Sequence, residues 1–523
     1  MQPNTVEFDE LENPGNPVFS SPFNVASVFI DRHIHSGAES NIALKYDAGD
    51  ISYGELFEKV NQSGNALLEQ GLKAGERLLM VVVDSPEFFY AFWGAIKAGI
   101  IPIPINTMLR ADDYKFYIED CECRGVIYSP QQAREVENAL SMSATPPRIA
   151  LQTTGPGSLS AIMASCASDL EAAPASAEAE CFWLYSSGST GNPKGVVHVH
   201  RDMVITSTCF GQGIAGIEPT DIVYSASKLF FSYGFGGGMT FPLWAGAATV
   251  INSGKTTAGI SFDFIEKYKP TVFFGVPTLY AQQLVLAETR TPDMTSIRRA
   301  VSAGEALPAH VYRQVKETFG FSILDGLGST EALHIFVSNQ IDDINPGTSG
   351  RVVPGYEVKI LDDEGNEVAP GEIGTLWVRG RSTALCYWKN PEKTAATMKG
   401  GWLNTGDMYF LNEDGCYVNS GRGDDMLKVG GMWCSPIEIE AKLIEHPLVR
   451  EVAVVGKRDD ANLIKPAAYV VLANKDADET QTTLELSDFC KKNLAGYKYP
   501  RWFHYVDEIP KTVTGKIQRF KLR

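Results

Sequence analysis

The densest chemistry in the chain lies in Tyr185-Ser186-Ser187-Gly188-Ser189-Thr190-Gly191-Asn192-Pro193-Lys194-Gly195. An apolar run, CFWLY, enters this loop and another, VVHVH, leaves it. Glycines let backbone N–H groups approach an anion closely. The Ser and Thr hydroxyls add donors, and Lys194 adds positive charge, so the set suits a polyphosphate. A Walker A loop needs Ser or Thr after its lysine and a helix behind it. Here Gly195 follows the lysine, and the flanks predict strand–loop–strand. A flexible linker has no reason to order hydroxyls, glycines, proline and lysine in this way.

Further groups follow along the chain. Asp325-Gly326-Leu327-Gly328-Ser329-Thr330-Glu331, taken alone, is a Gly-rich turn with a carboxylate, and it follows Ser302-Ala303-Gly304-Glu305. Thr405-Gly406-Asp407 is in isolation an ordinary turn, although an aspartate accepts hydrogen bonds from both hydroxyls of a ribose. Arg422-Gly423-Asp424-Asp425 and Lys428-Val429-Gly430-Gly431 read locally as an interdomain turn with surface charges or as a hinge. Near the C-terminus stands Pro510-Lys511-Thr512-Val513-Thr514-Gly515-Lys516, of which Lys511 reads as a solvated surface lysine. Aromatics and glycines alternate from Leu229 to Gly236 and suit a flat apolar slot, with Leu333-His334-Ile335 as a second wall. Core packing is the plain alternative for Tyr233 and His334.

In this order, SSGSTGNPKG, DGLGSTE, TGD, RGDDMLKVGG and PKTVTGK resemble the motifs of the adenylate-forming superfamily, over nearly the whole chain. That superfamily includes acyl-CoA synthetases, luciferases and nonribosomal-peptide adenylation domains. FFSYGFG, STEALHIF and KVGGMWCSPIEIE resemble most the benzoate-CoA ligases and close aryl-CoA ligases. The resemblance implies an AMP-forming ligase that takes ATP, Mg²⁺, coenzyme A and a small aromatic carboxylic acid, benzoate first. It leaves room for a homodimer, for another aryl, alicyclic or medium-chain acid, and for a nucleotide-binding sensor that keeps the fold without catalysis.

The same resemblance distributes the roles. Ser186, Ser187, Gly188, Ser189, Thr190, Gly191 and Lys194 hold the ATP phosphates. Gly304, Glu305, Asp325 and Gly326 border the nucleotide; Thr330 meets the α-phosphate; Glu331 holds Mg²⁺; Asp407 and Arg422 take the ribose. Phe231, Ser232, Tyr233, Ala303, Gly328, Leu333, His334 and Ile335 form the acyl pocket. Lys428, Gly430, Gly431 and Trp433 guide CoA, Asp424 is the hinge, and Lys516 joins Thr330 and Glu331 as the catalytic set. Relatives that activate amino acids usually carry an aspartate in the first acyl segment, and Leu229–Gly236 has none. Only seven residues are read after Lys516, so a carrier domain is not expected, and the Phe-Lys-Leu-Arg end is not read as an SKL-type address.

These groups must be held by a scaffold of 523 residues, 44% of them hydrophobic, which is long enough for more than one domain. The expected fold is α/β. A large domain over residues 1–423 has mixed, largely parallel sheets with helices and an antiparallel hairpin subdomain. A small mobile α/β domain spans 424–523 and carries Lys516. LLMVVVD and GIIPIPIN predict buried strands around a helix in SPEFFYAFWGAIKAG, and charges at Asp84, Glu87 and Lys97 argue against a membrane span. SLSAIMASCASDLEAAPASAEAE reads as a variable connector outside the core. The net charge of −17 argues against nucleic-acid or anionic-membrane partners. The acidic N-terminus lacks a signal-peptide h-region, and nine scattered cysteines suit free thiols in a reducing cytosol, so a cytoplasmic location is expected. His198 and His200 are read as marking two faces of a strand, not a metal site.

Overall fold

The computed structural model describes residues 2–8, 14–186, 193–423, 425–429, 432–460, 463–474, 477–511 and 517–523. In the large domain, Ile101–Pro104, Arg77–Val81, Gly125–Tyr128 and Ile149–Gln152 form one parallel sheet in that order. Helix Pro86–Lys97 links the first two strands, as the apolar runs predict. It packs on helix Tyr53–Glu69 so closely that a Cβ on Gly94 would lie 2.7 Å from the Val60 carbonyl oxygen. Lys97, one of the charges that speak against a membrane span, is buried and paired with Asp31 at 2.7 Å. Among the described residues, no helix is long and apolar enough to cross a membrane.

The second sheet runs Arg351–Val352, Ile335–Ser338, Ile323–Gly328, Arg299–Ser302, Val272–Gly275, Ile222–Ser225, Ala248–Val250, Ile42–Lys45 and Ile51–Ser52. Its interior pairings are parallel and its edges antiparallel, which agrees with the mixed, largely parallel expectation. Parallel strands open ligand crevices at their carboxyl ends. Here Val272–Gly275, Arg299–Ser302 and Ile323–Gly328 deliver Pro277, Gly304 and Gly328 to one cleft. Glu357–Leu361, Gly374–Arg379, Trp402–Leu411 and Tyr417–Arg422 make the expected antiparallel hairpins.

Beyond Arg422, strands Leu427–Val429 and Met432–Cys434 pair as a hairpin. Helix Pro436–Leu443, strands Val449–Arg458 and Ile464–Leu472 and helix Glu479–Asn493 follow in the predicted order. Strand Trp502–Tyr505 pairs parallel to Ile464–Leu472 and was not expected, since its few residues show no clear alternation. The Ala/Ser-rich connector is a correction. Leu159, Met163, Cys166 and Ala177 are buried in the main core, and Ala173 N–H donates to the Lys97 carbonyl at 2.8 Å. Small side chains let this segment lie flat against the two helices, a fit that composition alone does not reveal. All nine cysteines are free thiols.

Candidate active site

The phosphate segment is a hairpin. Glu180–Ser186 pairs antiparallel with Lys194–Val199, with Lys194 opposite Ser186, so the loop is strand–loop–strand as its flanks predict. Trp183 and Trp388 pack with ring centroids 4.6 Å apart, and a Cβ on Gly195 would touch both. Ser187, Gly188, Ser189, Thr190 and Gly191 lie outside the described residues. Lys194, at the loop's exit, holds its ammonium 5.9 Å from the Tyr387 ring centroid.

Glu331 sits against this hairpin. Its Oε1 accepts hydrogen bonds from Ser186 Oγ at 3.2 Å and Tyr387 OH at 2.9 Å. Tyr387 reaches it because Cys386–Tyr387 pairs with Lys194–Val199 as a third strand. The Thr330–Leu333 turn is tied down along its backbone. His198 Nε2 bonds the Thr330 carbonyl at 2.9 Å, Ala384 N–H the Glu331 carbonyl at 2.7 Å, and Ser382 Oγ the Ala332 carbonyl at 2.8 Å. Leu333 has φ 69°, an uncommon left-handed conformation for a branched residue that such ties must sustain. The two-faces reading is corrected: residues two apart in a strand share a face, but the strand ends at Val199, and His200 opens the next helix and accepts the Val25 N–H at 3.2 Å.

Asp407 and Arg422 stand opposite each other on antiparallel strands, with Arg422 Nη1 3.0 Å from Asp407 Oδ1. Both line a cleft of about 570 Å³ together with Gly304, Glu305, Gly326 and Gly328. Gly304 has φ +92°, a conformation that favours glycine, and a Cβ there would meet open space.

Asp325 differs from its expected role at the nucleotide. It is buried behind the lining, and its Oδ2 accepts the Leu307 N–H at 3.3 Å, so it supports the Gly304–Ala306 loop from below. Burial pushes its carboxyl up to about 8. The folded protein therefore holds a proton that the unfolded chain, with a carboxyl near 3.8, gives up. Stability is expected to fall as pH rises through this interval and to level off above about 8. Asp325→Asn keeps the shape without a titrating group, so melting temperatures between pH 6 and 9 should decline less steeply in the variant than in the parent. Parallel slopes would count against a buried neutral Asp325.

The acyl residues divide. Phe231, Ser232 and Tyr233 keep partial exposure at the start of helix Ser232–Phe235. Tyr233 OH donates to the Gly275 and Val301 carbonyls at 2.9 and 3.1 Å. His334 stacks on the Tyr233 ring at 5.6 Å and packs edge-on to Phe241 at 4.5 Å. Burial lowers its imidazole to about 3, so His334 is neutral at working pH. A Cβ on Gly236 would come within 2.4 Å of this ring. Leu333 belongs to one apolar core, while Ala303 and Ile335 belong to another, so within the second wall it is His334 that meets Tyr233. Gly328 joins wall to cleft, because a Cβ there would lie 2.6 Å from the His334 carbonyl oxygen.

Asp424, Gly430, Gly431 and Lys516 lie outside the described residues. Lys428 and Trp433 pair through their backbones across the Leu427–Cys434 hairpin. Lys511 and Ile517, which bracket the segment containing Lys516, pair with each other and line the same cleft as Gly304 and Asp407. Lys511 is exposed, as expected of a solvated surface lysine, and pairs with Glu451 at 2.7 Å. The sequence passed over Tyr387, Ser382 and the role of His198. Tyr387 is 56 residues from Glu331, and only strand pairing brings them together.

Comparisons with known proteins agree over nearly the whole chain. The AMP-binding enzyme family matches residues 32–388, and the AMP-binding enzyme C-terminal domain matches 438–516. The benzoate–CoA ligase of Thauera aromatica is 44% identical, covering 96% of each chain. A crystal structure of the anthranilate CoA ligase AuaEII in complex with anthranoyl-AMP superposes with a TM-score of 0.92 at 39% identity, covering 97% of each chain. A benzoate CoA ligase from Burkholderia xenovorans LB400 gives 0.89 at 40% identity, covering 96% of this chain and 100% of that one.

Proposed function

The chain belongs to the AMP-binding enzyme family, and from that premise we propose that it is an AMP-forming acid–thiol ligase acting on a small aromatic acid, benzoate first. It activates the acid as acyl-AMP and transfers the acyl group to coenzyme A, releasing AMP and pyrophosphate. The observation that carries this reading is the junction at Gly328. There an uncharged wall of Tyr233 and neutral His334 meets the cleft lined by Asp407 and Arg422. An aromatic ring suits the wall, and the carboxylate it bears then enters the nucleotide cleft. The benzoate- and anthranilate-CoA ligases among the similar proteins support the same substrate class.

In this reading Ser186–Gly191 and Lys194 cradle the phosphates, Thr330 meets the α-phosphate, and Asp407 with Arg422 holds the ribose. Glu331 suits Mg²⁺. It is a hard oxygen donor beside the phosphate hairpin, and Mg²⁺ usually takes one or two carboxylates plus substrate phosphates. Bound there, the ion would neutralise phosphate charge. The acid's oxygen attacks the α-phosphorus, and the bond to pyrophosphate breaks. Lys516 offsets the repulsion between the two anions. The small domain, residues 424–523, then turns about Asp424. Lys516 leaves, and the segment Lys428, Gly430, Gly431 and Trp433 comes in along the pantetheine path. The thiol sulfur attacks the acyl carbonyl, and AMP departs. The protein works in the cytoplasm.

The test is thioester formation with Mg·ATP, CoA and a panel of acids, read by mass spectrometry. The panel holds benzoate, hydroxy- and aminobenzoates, cyclohexanecarboxylate, cinnamates, acetate and octanoate. Benzoyl-CoA is expected to dominate. A dominant acetyl or octanoyl product would overturn the acid assignment, and AMP release without any thioester would overturn CoA as the acceptor.

A further inference from the structure

The phosphate hairpin carries a buried hydrogen-bonded chain that the reaction as described does not use. His198 is fully buried, its ring stacked on Phe182 at 5.2 Å with 14° between planes. Nδ1 lies 2.9 Å from Asp202 Oδ2, and Nε2 lies 2.9 Å from the Thr330 carbonyl oxygen. A carbonyl only accepts, so Nε2 carries a hydrogen. Asp202 Oδ2 already accepts the Val199 N–H at 3.1 Å. The remaining bond is best satisfied when Nδ1 donates as well, a hydrogen assignment that follows from the bonding pattern. Arg201 Nε stands 3.7 Å from the other oxygen of Asp202. The ring therefore acts as a rigid double donor between a carboxylate in the first turn of the following helix and a carbonyl 132 residues away.

That carbonyl belongs to the peptide joining Thr330 to Glu331. Rotating this peptide would move both side chains at once, and Leu333, three residues on from Thr330, already sits at φ 69°. The same oxygen accepts the Leu333 N–H at 3.1 Å within the turn, so among the described contacts His198 is the tie that reaches it from outside the turn, while Ala384 and Ser382 act beyond it. We propose that Asp202 and His198 form a positioning pair for adenylation, locking the Thr330–Glu331 peptide so that both side chains stay aligned with the phosphate hairpin. The inference rests on the roles of Thr330 and Glu331 in the proposed function. It places neither His198 nor Asp202 in contact with substrate.

The experiment separates the two half-reactions. His198→Phe keeps a stacked ring and removes both hydrogen bonds. Adding Asp202→Asn neutralises the carboxylate left in the interior and retains an amide oxygen for the Val199 N–H. His198→Gln restores one N–H toward Thr330. In benzoate-dependent ATP–pyrophosphate exchange, both Phe variants are expected to lose about tenfold to a hundredfold in kcat. KM for benzoate stays near that of the parent, and His198→Gln recovers part of the loss. Thioester formation from supplied benzoyl-AMP stays at the parental rate. Equal loss in both half-reactions would mean general disruption and overturn the proposal, as would parental exchange in the double variant. A parent protein with no exchange on any acid refutes the proposed function, and the inference falls with it. Parental exchange with an unaffected His198→Phe variant refutes the inference alone.

Discussion

Lys516→Ala is expected to lose acyl-AMP formation by about 10²- to 10³-fold while still making thioester from supplied acyl-AMP. The size of the effect follows from the charges. The acid's carboxylate must approach a triphosphate, and a unit charge about 4 Å from another contributes about 4 kcal/mol at an effective dielectric of 20. That is about three powers of ten in rate. An ammonium placed where the charge develops supplies this term, and alanine removes it without altering the binding of either substrate. The second half-reaction needs no such cation, because a neutral thioester forms as AMP leaves. Lys511 and Ile517 bring the ends of the Lys516 segment to the cleft that holds Gly304, Asp407 and Arg422, which is where adenylation needs the charge. Lys511 is no substitute, since Glu451 already pairs with it at 2.7 Å. The measurement is pyrophosphate exchange for the first step and thiolysis of synthetic benzoyl-AMP for the second. Equal loss in the two would contradict the withdrawal of Lys516 between steps.

The second large effect concerns the acid. His334→Ala removes a neutral ring packed against Tyr233 and Phe241, the ring that closes the acyl slot in the proposed function. The vacated volume admits several methylenes, each contributing about 0.8 kcal/mol on burial. Three of them shift the ratio of kcat/KM for octanoate over benzoate by roughly fifty-fold. The same change leaves a cavity against Phe210, Phe241 and Phe274 and costs about 2–4 kcal/mol of stability. Both are read on one preparation, by competition between acids and by thermal melting. A melting temperature that drops with an unchanged acid preference would make His334 a core residue and nothing more.

The motifs were legible because each is a local contract between residue type and chemistry. Hydroxyls and glycines beside Lys194 suit phosphate in any fold, and the hairpin they sit on was already set by the apolar runs on either side. The parallel strands at Arg77–Val81 and Ile101–Pro104 and the small domain's helix and strand order were readable for the same reason, since burial and periodicity act over a few residues. Asp325 shows where this stops. Its motif names the residue, yet only the sheet decides which face of Ile323–Gly328 carries its side chain, and that face is the interior.

The sequence by itself therefore determined the kind of chemistry, the order of its parts and the architecture that bears them. Tertiary structure alone decided which groups hold those parts in place. Tyr387 comes to Glu331 through a two-residue strand, His198 comes to Thr330 across two sheets, and His334 settles on a glycine that leaves room for its ring. These contacts span long separations, and their stability comes from burial and shape complementarity among residues that carry no local signature.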